Sequence, residues 1–175
     1  MYMRRAFFLI LFLLLVDASS AFAQSFQTMP RSDLTPGVVR DGLSIGTICR
    51  TKWGSDARAV TQAMKDQVVR AYDFDVSVCP YTTYKGHHVR RAEIDHLIAR
   101  SLGGADDVRN LWPECYEPVN ADKSLQANGA NKKDRLEKYL HDKVCHPQSP
   151  ALLKEYQERI AHDWLDLYRE IYGAN

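Results

Sequence analysis

Glu93-Ile-Asp-His-Leu-Ile-Ala-Arg-Ser-Leu-Gly-Gly-Ala-Asp-Asp-Val-Arg-Asn-Leu-Trp-Pro113 is the stretch on which the reading of this chain turns. His88 to His96 alternates moderately between polar and apolar residues, as a short strand does. Leu102-Gly103-Gly104 supplies a sharp turn, and Val108 to Trp112 reads as a second short strand that Pro113 stops. Two strands joined by a long loop therefore lie in the middle of the chain.

The helices lie on either side. Val60, Met64, Val68 and Tyr72 recur at helical spacing, which predicts an amphipathic helix over about 56–72, starting at Ser55-Asp56. Val76-Ser-Val78 has the look of a short strand ended by Cys79-Pro80. Beyond the central segment, 114–129 reads as a loop. Leu136, Tyr139, Leu140 and Val144 then mark a helix from Asn131 to about Val144. Pro147 and Pro150 break the chain before a longer helix carrying Leu153, Tyr156, Ile160, Trp164, Leu167 and Ile171. The order is helix, strand pair with a long loop, then two helices: a small, helix-rich α+β domain. No repeat or low-complexity tract interrupts it.

The N-terminus speaks for compartment. Arg4 and Arg5 precede an apolar run from Ala6 to Val16, and Ala21-Phe-Ala23 places small residues where a signal peptidase cuts. Residues 1–23 read as a cleaved leader; the apolar run is about half the ~20 residues a membrane span needs. Export to the periplasm or beyond follows as the expectation, with no membrane attachment after cleavage. Residues 24–46, rich in Pro and Gly, read as an extended, poorly ordered lead-in, and 47–175 as one domain. Without the leader, basic and acidic side chains balance at 21 each, so net charge does not argue for a nucleic-acid partner, and any phosphate-binding surface must be local. Cys49, Cys79, Cys115 and Cys145 suggest two disulfides in an exported chain, with three pairings open. They form no CxxC pair, which disfavours a zinc ribbon.

Chemistry concentrates at Asp95-His96. Hydrolysis of a phosphodiester needs a base near neutral pKa, which His96 supplies, and a cation to offset charge on the phosphate. Asp95 offers the hard oxygen that Mg²⁺ or Mn²⁺ prefers. Asn110, on the returning strand, can brace the turn and the His96 ring. Asn131, at the start of the next helix, can supply a second oxygen.

Asp95-His96, then Gly103-Gly104, then Asn110-Leu111, with fourteen residues from His96 to Asn110, resembles the signature of the HNH (ββα-metal) endonucleases. Asn110-Leu-Trp-Pro113, Lys133-Asp-Arg-Leu-Glu137 and Tyr139-Leu-His141 through Cys145 are similar to a group of exported bacterial HNH-like proteins. The likeness spans about Cys49 to the C-terminal helix. It implies a ββα-metal motif, His96 as general base, Asn110 as the Asn that holds the loop, and Asp95 and Asn131 as ligands of a divalent metal. The interval from Asn110 to Asn131 is longer than in compact members of the family; Asn120 is the rival third residue. The family's frequent CxxC zinc pairs are absent.

The expectation is an exported metal-dependent endonuclease acting on DNA, with RNA as a further substrate and little sequence specificity. Arg91, Arg100, Lys132, Lys133 and Arg135 are the candidates for holding the phosphate backbone. Against that stands a solvated charged face, balanced by Asp106, Asp107, Asp134 and Glu137. His87, His88, His141 and His146 read as exposed or structural, and Trp112 and Trp164 as core. The competing functional readings are an inactive periplasmic scaffold or binding protein on the same fold, and a secreted nuclease toxin.

Overall fold

A computed structural model describes residues 29–51, 57–116 and 129–173. In chain order it contains helices α1 (Ile45–Arg50) and α2 (Gln62–Tyr72), strands β1 (Tyr81–Tyr84), β2 (His87–Arg90), β3 (Ala92–His96) and β4 (Leu111–Cys115), and helices α3 (Gly129–Cys145) and α4 (Pro150–Tyr172). The fold is α+β, with two separate two-stranded antiparallel sheets, β1–β2 and β3–β4. Residues 1–23, expected as a leader, and Asn120 lie outside the described residues.

Helix starts follow side-chain caps. The Ser44 hydroxyl accepts the Thr47 N–H at the start of α1, and Thr61 accepts the Met64 N–H at the start of α2. Helix α2 therefore begins later than expected. Residues 57–60 are not helical, and the anticipated start at Ser55-Asp56 lies outside the described residues. Ser149 caps α4, whose first residue is Pro150, so this proline opens a helix as well as ending what precedes it. Asp163 leaves the helical conformation and its carboxylate accepts the Asp166 N–H, recapping the last turns after a kink. Val76–Val78, expected as a strand, is a turn of 3-10 helix capped by the Asp75 carboxylate.

The strand expected from His88 to His96 is two strands. Its first part belongs to a hairpin in which Tyr81 pairs with Arg90 and Tyr84 with His87. Lys85 and Gly86 both take positive φ, 49° and 80°, as a two-residue turn matched to strand twist requires. The second part, β3, runs against β4 from Ala92–Cys115 to His96–Leu111. Pro113 lies inside β4, opposite Ile94, rather than ending it. A two-stranded sheet has only edge strands, where a missing N–H is tolerated.

The core gathers Leu97, Leu102, Leu111 and Trp112 from the central segment with Leu136, Leu140 and Val144 of α3 and Ile160, Trp164 and Leu167 of α4. Cys49 joins Cys145, linking α1 to the end of α3, and Cys79 joins Cys115, linking the hairpin to the end of β4. Over sequence separations of 96 and 36, such links restrict the unfolded chain by roughly 4–5 and 3–4 kcal/mol. Among the described residues, no helix is long and apolar enough to cross a membrane.

The lead-in expected to be poorly ordered has little regular structure over 29–44 but is tightly held. Thr35 is buried; its hydroxyl donates to the Leu111 carbonyl and contacts the Tyr72 hydroxyl. The Gly37 N–H reaches the Arg109 carbonyl, Arg40 N–H the Gly103 carbonyl, and Ala105 N–H the Val38 carbonyl. The segment thus straps the loop between β3 and β4. Within that loop Gly103 takes a φ of 87°, and a Cβ on Gly104 would sit 1.7 Å from the Ile98 carbonyl oxygen. Because that neighbour is backbone, no rotamer change relieves the clash. Gly104→Ala is expected to cost about 3 kcal/mol or more, and Gly86→Ala, strained but in open space, about 1. Urea denaturation of the two variants checks the ranking.

Candidate functional site

Asp95 and His96 end β3 and, as strand neighbours, present opposite faces. The Asp95 side looks to α3. Lys133 Nζ donates to Asp95 Oδ2 at 2.7 Å, to the His96 carbonyl and to Glu137 Oε1. Lys133 is 1% exposed, whereas the Asp95 side chain retains 23%, leaving it reachable from solvent. Burial pushes the Asp95 carboxyl up, but the Lys133 ammonium outweighs it and holds the pKa below the ordinary carboxylate value. The same carboxylates hold Lys133 protonated against its own burial.

Carboxylates outnumber this ammonium. Glu93, paired across the sheet with Glu114, accepts the Tyr116 hydroxyl at 2.7 Å, and burial pushes its pKa up. Glu114 is buried, and neither of its carboxylate oxygens has a hydrogen-bond partner among the described residues. Burial, only partly countered by Lys133, raises its pKa well above the usual value, and pushes Glu137 up to about 7. At neutral pH this face therefore relieves its excess charge by keeping protons.

The His96 side looks to the loop. Its ring is 4% exposed, and Nε2 lies 2.8 Å from Asp106 Oδ1. Asp106 also accepts the Ala59 N–H at 2.8 Å and the Arg100 guanidinium at 3.0 Å. Burial pushes the Asp106 carboxyl up, but the Ala59 N–H, His96 and Arg100 outweigh it, so Asp106 stays ionised. An ionised carboxylate only accepts, which assigns the ring proton to Nε2 and leaves Nδ1 as the basic nitrogen. Burial lowers the His96 pKa more than Asp106 and Asp95 raise it, so the ring is neutral at pH 7. Asp106 escaped the sequence reading, where it was one balancing charge beside Asp107. Only folding separates the pair: Asp107 caps the next turn through the Arg109 N–H.

Asn110 is wholly buried. Its amide oxygen accepts from the Ile98 and Val38 N–H groups, and its amide nitrogen donates to the Ile98 and Ala105 carbonyls at 3.0 Å. It braces the loop, as expected, while the orientation of the His96 ring belongs to Asp106. Asn131 stands in the first turn of α3, and its side chain is outside the described residues. Among the described residues no group of three or more His, Cys, Asp or Glu side chains is arranged to hold a metal ion.

The five basic candidates separate. Lys133 is not at the surface but pinned to Asp95 and Glu137. Arg100 pairs with Asp106 and donates to the Ala57 carbonyl, its side chain 13% exposed, so it braces the His96 partner rather than reaching outward. Lys132 and Arg135 lean on Tyr168 and Tyr172 of α4. Arg91 packs its guanidinium over the rings of Tyr84 and Tyr116, at 3.8 and 4.3 Å. Spacing along the sequence placed all five near the motif, but it carries no information about which helix face turns inward.

Comparison with family models, with curated proteins and with solved structures finds no match to this chain. Fold and site together define an α+β chain cross-linked by two disulfides, with an imidazole–carboxylate pair beside a lysine-pinned, carboxylate-rich strand end.

Removing Lys133 strips the buried Glu137 and the half-buried Asp95 of their counter-charge. Lys133→Ala is expected to lose about 3–5 kcal/mol of stability, whereas the exposed Lys138→Ala stays within about 0.5. Equal denaturation midpoints for the two variants would contradict the pinned arrangement.

Proposed function

We propose that this chain is an exported, metal-dependent endonuclease of the ββα-metal (HNH) kind, cutting DNA, and RNA as a further substrate, with little sequence specificity. The observation that carries this reading is the buried, neutral His96, held through Nε2 by Asp106 beside the partly exposed carboxylate of Asp95. A base of this kind needs one nitrogen fixed and the other basic, which is the state the Asp106 contact imposes. In the proposal, Nδ1 of His96 takes a proton from water, the hydroxide attacks phosphorus, and the bond to the leaving sugar oxygen breaks, that oxygen taking up a proton from solvent.

Asp95 offers hard carboxylate oxygens of the kind a divalent cation prefers, one of them bonded to Lys133. Asp95 and Asn131, from the first turn of α3, would hold Mg²⁺ or Mn²⁺. When bound, the ion would offset charge building on the phosphate and the leaving oxygen. The succession of β3, β4 and α3, with α3 bonded to the end of β3 through Lys133, is the order such a motif requires. Two disulfides support an oxidising compartment, periplasmic or external, and agree with a leader over 1–23. One observation favours the inactive-scaffold reading: Lys133 already supplies Asp95 with a positive partner.

Incubating the disulfide-bonded protein with supercoiled plasmid separates the two. The enzyme reading expects nicking that needs Mg²⁺ or Mn²⁺, is abolished by EDTA and falls about 10²–10⁴-fold in His96→Ala. Absence of cleavage of plasmid, single strands and RNA with either metal would leave the scaffold reading. Asp106→Asn is expected to slow nicking by about 10–100-fold, the usual worth of a partner that fixes a histidine.

The pH dependence follows from the direction of the His96 shift. Its pKa lies below 6.5 in the folded protein, so the basic form persists into mild acid. The acid limb of the rate should therefore have its midpoint below pH 6.5, as the ring takes up a proton. An acid limb centred above 6.5 would exclude His96 as the base.

A further inference from the structure

The chemistry proposed at Asp95 and His96 uses neither disulfide, and the two disulfides differ in their surroundings. Cys79 and Cys115 are sealed in the interior, 0% and 2% exposed. Cys49 and Cys145 are half-buried and stand at helix ends, Cys49 next to last in α1 and Cys145 last in α3. The neighbours of this second pair in sequence are the exposed Arg50, Lys143 and His146, with Asp142 as the acid of the same stretch. Cationic neighbours favour both the approach of a thiolate and the thiolate that leaves.

The half-buried disulfide also has a side chain built against it. His141 lies one helical turn before Cys145 on α3, the spacing at which two side chains of a helix meet. Its Nε2 is 3.6 Å from Cys145 Sγ and 3.4 Å from the carbonyl oxygen of Ile48, the residue before Cys49. A carbonyl oxygen and a disulfide sulfur both only accept, so Nε2 carries the ring proton and directs it at the Cys145 side of the bond. Asp142 Oδ1, 3.9 Å from Nδ1, is beyond hydrogen-bond length and does not oppose this tautomer. The ring is 12% exposed, so it is held in place at the disulfide instead of sampling solvent.

We propose that Cys49–Cys145 is a thiol–disulfide exchange site for small monothiols, with His141 as its positioning residue, while Cys79–Cys115 is a purely structural cross-link. The thiolate of a monothiol attacks Cys49 Sγ. A bond forms between the two, the Cys49–Cys145 bond breaks, and its electron pair leaves on Cys145 Sγ. The Nε2–H of His141 bonds this thiolate, which solvent then protonates. Exchange is faster when the leaving sulfur is the better stabilised thiolate, and this assigns departure to Cys145 and the mixed disulfide to Cys49. A second monothiol attacks the mixed disulfide at the small-molecule sulfur and releases Cys49 as a thiol. The protein disulfide is thereby reduced, and two monothiols are oxidised to one small disulfide. Opening frees α1 from its covalent tie to α3 and leaves the hairpin tied to β4. None of this rests on the nuclease reading.

The test exposes the disulfide-bonded protein to reduced glutathione, quenches samples with a thiol alkylator, and follows each cysteine by peptide mass spectrometry. Cys49 and Cys145 are expected to open at least about tenfold faster than Cys79 and Cys115. At early times the glutathione adduct should sit on Cys49, not Cys145. His141→Ala should slow this opening by about three- to tenfold, the share of a charge-assisted hydrogen bond felt by a partly formed thiolate, and leave Cys79–Cys115 unchanged. His141→Gln, whose amide N–H can donate as Nε2 does, should recover most of the rate, which a merely space-filling role would not require. Melting temperatures near wild type would show that both variants fold. Equal opening of the two disulfides, or earlier opening of Cys79–Cys115, would overturn the exchange site. An adduct on Cys145, or a His141→Ala protein that opens as fast as wild type or faster, would overturn the role of His141.

Discussion

The ammonium of Lys133 is the contact on which the candidate site depends. A buried lysine is costly unless it is paired and fully bonded, and this one meets Asp95, Glu137 and the His96 carbonyl together. Meeting all three requires α3 to lie across the end of β3 in one register. Glu137, one helical turn on, fixes the lysine from its own helix, so the tie does not rely on the strand alone. The interaction that sets the strand–helix geometry is thus also the one that sets the charge state of Asp95.

The other face of β3 is built by hydrogen bonding. Asn110 ties both ends of the loop that leaves His96, Gly104 lets its backbone close on Ile98, and the 29–44 segment straps the loop from outside. With the loop fixed, Asp106 reaches back ten residues to His96. Asp95 and His96 answer to different surroundings because strand neighbours point apart, and both stand at the end of β3.

Charge is separated within a chain whose net charge is only +1. Glu93, Asp95, Glu114 and Glu137 crowd one side of the β3–β4 pair, while the acid-free hairpin precedes it. Arg91 and Tyr116 lie at the boundary, the arginine against two rings and the tyrosine bonded to Glu93. Net charge summed over the sequence conceals this arrangement, because the sum has no geometry.

The amino-acid sequence by itself determined the α+β class, the helical stripes of α3 and α4, the turn at Gly103-Gly104 and the bracing role of Asn110. These are local matters: apolar period, turn residues, and an amide beside a turn it can reach. Helix starts were less legible, since Thr61 and Ser149 act as caps only where the chain actually enters a helix. The hairpin was hidden because β2 and β3 run on almost without a break and read as one strand. Tertiary structure alone decided the disulfide pairing, the choice of Asp106 over Asp107 as the partner of His96, and the inward turn of Lys133 away from solvent. Each of these joins groups distant in sequence or chooses between adjacent like residues, and only the packed chain brings one of them within bonding distance.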